Sequence, residues 1–192
     1  MKKIIAMIMS VLMMVTLLCG CGGGGASSPE DAAENYIEAV QDADLDAVID
    51  CMPPQISENF ADALDVMEEM GDLMGQDMSR DALEEMLKEK TIDEYEIKET
   101  EDMDKEDIED YEKELTTAAA SVAAMCDLDG ADMEELMKMQ EKQKEYEEDN
   151  KVEIEEAVWV ITDLTVDGET NEEKLPIGKI DGDWYILMGN LG

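Results

Sequence analysis

From Ser28 onward the apolar positions follow two regimes, helical spacing first and strand alternation last. Ser28, Pro29, Glu30 and Asp31 combine an N-cap, a proline at the first helical position and two acids at the positive end of a helix dipole. Ala33, Tyr36, Ile37 and Val40 then recur with helical spacing, and Asp42 to Asp46 interrupt the run. Leu45, Val48, Ile49 and Met52 predict a short second helix that stops at Pro53-Pro54. A third helix is expected over Ile56 to Gly75, with Phe60, Leu64, Met67, Met70 and Met74 as its stripe. A fourth, capped by Ser79 and running to Lys90, would use Leu83, Met86 and Leu87.

At Thr91 the period changes. Thr91, Asp93, Tyr95 and Ile97 alternate with Ile92, Glu94, Glu96 and Lys98, which suits a strand to about Glu101. Ile108, Tyr111, Leu115, Ala118, Val122 and Met125 return to steps of three and four and predict a long helix, broken at Asp127 to Gly130. Met133, Leu136, Met137 and Gln140 suggest one more helix. The last forty residues read as a β-meander. Val152 to Val166 carries apolar residues on both parities and is expected to be a central strand covered on both faces near its middle. Asp167-Gly168 is a turn signal. Leu175 to Ile180 is the next strand, pushed by Pro176 toward an edge or a bulge, and Asp181-Gly182 is a hairpin signal that delivers Trp184 to Met188 as the last strand.

The N-terminus follows other rules. Lys2 and Lys3 precede an apolar run from Ile4 to Leu17, closed by Leu18-Cys19-Gly20-Cys21 and followed at once by Gly22 to Gly25. A basic start, an apolar stretch short for a membrane span and a small residue before a cysteine form an export signal. Leu18, Gly20 and Cys21 resemble the lipobox of bacterial lipoproteins. The resemblance implies cleavage after Gly20, diacylglycerol on the Cys21 sulfur and a chain anchored to the outer face of the cytoplasmic membrane, in a bacterium of Gram-positive type. The expected organisation is therefore a signal peptide over 1–20, a lipidated cysteine and Gly/Ser tether over 21–28, and one α+β domain over 29–192.

Charge and chemistry narrow the function classes. The chain of 192 residues carries 52 acidic against 14 basic side chains, a formal charge of −38, so nucleic acids and other polyanions are repelled. It has no histidine, which removes the commonest zinc ligand and every histidine-based triad. Cys51 and Cys126 are the cysteines left within the domain, and in an exported protein they could form a disulfide or stay as two buried thiols. Asp127 to Glu134 resembles a calcium loop in composition only, because Ala131, Asp132 and Lys138 would fall on ligand or turn positions. No metal site and no cofactor are expected beyond weak divalent-cation binding by the carboxylates. The 17 methionines could suit Cu(I), but methionine at helical spacing more often fills a core or an adaptable pocket.

The opening Ser28 to Val40, the acidic break after it and the ending Gly178 to Tyr185 resemble small bacterial lipoproteins of the nuclear-transport-factor-two-like (cystatin-like) superfamily. That resemblance implies a cone-like α+β fold: N-terminal helices packed on a curved antiparallel sheet, with extra helices inserted between the first strand and the C-terminal meander. It leaves function open, because members include isomerases, dehydratases, ligand binders and interaction modules. No catalytic residue stands out among so many carboxylates. The favoured expectation is a non-enzymatic module binding a small ligand in a pocket lined by Tyr95, Trp159, Met67, Met70 and Met74. The alternatives are an interaction module for an envelope protein and an isomerase- or dehydratase-like enzyme.

Overall fold

The computed structural model describes residues 25–74, 77–89, 92–127 and 144–187. The leader, Cys21, Gly22 to Gly24 and the helix expected at Met133 to Gln140 lie outside them, as do the side chains of Met70 and Met74. The described residues form six helices and one four-stranded antiparallel sheet, an α+β fold.

Helix α1 spans Pro29–Gln41, and the Ser28 side chain accepts from the Asp31 N–H as its cap. Ala43 turns the chain with φ 50°, and Asp44 caps the five-residue α2, Leu45–Ile49, by accepting from Ala47. Helix α3, Pro54–Met74, starts on a proline, where a missing N–H costs nothing. Ser79 caps α4, Arg80–Lys88, which is held to α2 by an Arg80–Asp46 ion pair. Strand β1, Ile92–Asp102, follows, then α5, Lys105–Cys126, capped by Asp104. A sixth helical stretch covers 144–149. Strands β2, Glu156–Val166, β3, Glu169–Ile180, and β4, Asp183–Ile186, complete the chain.

The sheet order is β1-β2-β3-β4, so β2 is internal, with residues of both parities buried from Ala157 to Leu164. Two tight turns join β2 to β3 and β3 to β4. Asp167-Gly168 and Asp181-Gly182 all have positive φ, the geometry whose twist matches a β-hairpin. Strand β1 breaks register with β2 twice, between Ile92 and Glu94 and between Ile97 and Glu99.

Two boundaries differ from the sequence expectation. Val152 and Ile154 keep their strand-like alternation but join no ladder: the Val152 N–H donates to Thr116 Oγ1 at 3.0 Å and the Ile154 N–H to Glu112 Oε1 at 2.8 Å, so this segment lies along α5. In contrast, β3 begins six residues before Leu175, since the 167–168 turn sets Glu169 opposite Val166 and the polar stretch to Lys174 pairs residue by residue with β2. Pro176 sits where β4 ends. Its carbonyl accepts from Leu187 N at 2.8 Å, which turns its missing donor away from the β2 ladder.

Cross-strand register assigns the faces. Val158, Val160 and Leu164 of β2, Ile177 of β3 and Ile186 of β4 share one face, with Tyr95 of β1 opposite Leu164. Helix α1 lies over this face and touches all four strands, contributing Ala33, Tyr36, Ile37 and Val40 to one continuous core. Helix α3 packs along α5, and Cys126 Sγ at the end of α5 donates to the Asn59 carbonyl of α3 at 3.3 Å.

Candidate functional site

The face of the sheet opposite α1 starts apolar and ends polar. At one end Trp159 meets the edge of Tyr111 from α5, with centroids 6.1 Å apart and planes at 67°. Further along β2 come Ile161, Asp163 and Thr165, flanked by Glu99, Glu96 and Glu94 on β1 and by Lys174, Glu172 and Thr170 on β3. At the far end a groove of about 630 Å³ is lined by Gln41, Asp93, Glu94, Tyr95, Glu96, Asp163, Thr165 and Thr170.

Most of these groups are held in place by one another. The Gln41 side-chain amide donates to the Ile92 carbonyl at 2.9 Å, anchoring the end of α1 to the start of β1. Asp93 accepts from the Gly168 N–H at 3.0 Å, and Thr165 and Thr170 share a hydroxyl contact of 2.8 Å across the hairpin. Lys98 bridges the floor, 2.7 Å from Glu96 and 2.9 Å from Asp163, and these two bonds keep its ammonium protonated well above the usual lysine range. Tyr95 points the other way: its hydroxyl donates to Glu34 at 3.0 Å, with Glu38 at 3.4 Å. Partial burial and then the bond to Glu34 push its pKa up to about 12, so it stays a phenol throughout the physiological range.

The groove offers charge and hydrogen bonds. Glu34 and Glu38 beside the Tyr95 hydroxyl are exposed. Among the described carboxyls, burial raises Asp50, which follows α2, and Glu173, half-buried on the α1 face of β3 opposite Thr162, and neither lines the groove. Glu173 is two ladder positions and one strand removed from Leu164, the partner of Tyr95. Among the described residues no cluster of three or more His, Cys, Asp or Glu could hold a metal ion.

The residues expected to line a pocket are scattered. Tyr95 lines the groove, Trp159 packs on Tyr111, and Met67 is half-buried against the core. No disulfide joins Cys51 and Cys126: the buried Cys51 thiol, just past α2, faces the Ala47 carbonyl of that helix, while Cys126 bonds across to α3, where burial raises its pKa. Sequence reasoning missed Asp163, Thr165 and Thr170. They are ordinary outward positions of a strand pair: the β1–β2 register sets Asp163 beside Glu96 and Thr165 beside Glu94, and the Asp167-Gly168 turn sets Thr170 opposite Thr165.

No helix among the described residues is long and apolar enough to cross a membrane. No protein-family model matches the chain, and neither a curated protein nor a solved structure matches it.

Proposed function

We propose that the protein is a lipoprotein anchored through Cys21 on the outer face of the cytoplasmic membrane, whose domain is a non-enzymatic binding module with its helices and sheet arranged as a cone. The observation that carries the binding reading is the groove of about 630 Å³ at the β1–β2–β3 end, lined by the carboxylates Asp93, Glu94, Glu96 and Asp163. Four carboxylates in the lining, two of them bonded to the neighbouring Lys98 ammonium, favour a ligand that carries positive charge, and the volume suits a small molecule. The ligand is thus a small cationic amphiphile or polyamine rather than an apolar molecule in a Met-lined cavity.

Calorimetry of the signal-less domain with spermidine as probe tests this. Binding should weaken at least about tenfold in the double variant Glu96→Gln, Asp163→Asn and fall with added salt, as expected for charge pairing at solvent-accessible carboxylates. Equal binding by that variant, or none by the parent at millimolar spermidine, sinks the cationic-ligand reading.

A further inference from the structure

The chain enters the domain through a clasp. The Ala26 N–H donates to the Trp184 carbonyl and the Trp184 N–H to the Ala26 carbonyl, both at 3.0 Å, so Ala26 adds one rung to the outer edge of β4. Gly25 is wedged beside it, where a Cβ would fall 2.6 Å from Tyr185 Cζ and also collide with Asp183. The Tyr185 hydroxyl is hydrogen-bonded to the Gly25 backbone, and the space left between these groups and Asn35, Asp50 and Cys51 is only about 10 Å³. A flexible tether reaching to Ser28 is therefore not what these residues form.

We infer that this clasp fixes which end of the domain faces the lipid surface: the β3–β4 hairpin end lies against the bilayer, and the groove end stands away from it. The inference rests on the lipid-anchor reading. Only Gly22, Gly23 and Gly24 separate Cys21 from Gly25, a reach of about 14 Å when fully extended. Lys179 is paired with Trp184 at the clasp, and Thr170 on the same strand lies at the groove. At the rise of an antiparallel strand those nine steps amount to about 30 Å. A leash less than half as long as β3 cannot let the two ends exchange places. The surface that meets the lipid carries the half-buried Trp184 with the Lys179 ammonium 5.9 Å from its ring centroid, beside Asp181 and Asp183. An amphipathic ring and one ammonium suit a zwitterionic headgroup layer, and the two aspartates keep them from sinking into it.

The test is energy transfer from a single tryptophan to a dansyl-headgroup lipid, using the full lipidated chain extracted from its host and reconstituted in phosphatidylcholine vesicles. One protein keeps Trp184 as donor through Trp159→Phe. The other carries Trp159→Phe, Trp184→Phe and Thr170→Trp, which moves the donor to the groove. Transfer from Trp184 should exceed transfer from position 170 by at least about threefold, given the roughly 30 Å between them. Inserting a dozen Gly/Ser residues between Gly24 and Gly25, which leaves the clasp intact, should bring the two values together. Equal transfer from both donors, in protein whose mass shows lipid on Cys21, overturns the inference and leaves the anchor standing. A mass without lipid on Cys21 overturns the anchor and the inference together.

Discussion

Gly178 shows how a single hydrogen in place of a methyl group sets the packing of the last strand. It lies within β3 between Ala157 and Tyr185, and an added Cβ would fall 2.5 Å from Leu187 Cδ2 and 2.8 Å from Cδ1. Leu187 is 1% exposed and has nowhere to swing. Overpacking of this kind costs about 1–3 kcal/mol, so Gly178→Ala should lower the urea midpoint, and an unchanged midpoint would mean that the strand end relaxes freely. Glu173 poses the opposite problem, a charge held half out of water, with its pKa raised by desolvation. The folded carboxyl binds a proton at pH values where the unfolded one does not, so this residue adds stability as pH falls through its raised pKa and costs stability above it. Glu173→Gln should therefore be more stable than the parent at pH 7, with the difference closing toward pH 4. A variant less stable at pH 7 would show that the carboxylate is instead favourably held.

Among the elements, α5 depends most visibly on its first turn. Asp104 accepts from the Glu106 N–H at 2.9 Å and from the Asp107 N–H at 3.1 Å, and the same residue ends the link from β1. Loss of such a cap costs about 0.5–2 kcal/mol. Asp104→Ala should lower the melting temperature by a few degrees, while Asp104→Ser, which caps as well, should restore most of it; failure of serine to do so would assign the effect to charge. Elements with a strong local signal were legible in advance. The Ser28 and Ser79 caps, the Asp167-Gly168 and Asp181-Gly182 turns and the stripe of α5 each draw on interactions a few residues apart. What escaped is what distant partners decide. Val152 and Ile154 alternate like a strand, but their N–H groups go to Thr116 and Glu112 of a helix. Glu169 to Lys174 has no apolar period at all, and it is a strand because β2 stands beside it. The groove inherits this blindness, since Asp163 and Thr170 acquire meaning only from register, whereas Tyr95, an aromatic on a visible strand, could be singled out.

The whole molecule carries a formal charge of −38, and its described ion pairs, from Lys105–Glu109 to Lys174–Glu101, are exposed and few against that total. A compact domain concentrates this repulsion, and salt relieves it. Raising sodium chloride from about 10 mM to about 1 M shortens the Debye length from about 30 Å to about 3 Å, and the melting temperature should rise across that range. A flat or falling curve would mean that the exposed pairs outweigh the repulsion. The two slips in the β1 register matter at the same scale, among many copies. Under the proposed lipid anchor, chains held to one plane would crowd side by side as no dilute solution crowds them, and a straight bare strand would invite the next copy to zip on and grow a fibre. Strand β1 bends twice along its length and bristles with Glu94, Glu96, Glu99 and Glu101, while the opposite border of the sheet is four residues long and already occupied by Ala26. Neighbours can therefore stand shoulder to shoulder without polymerising.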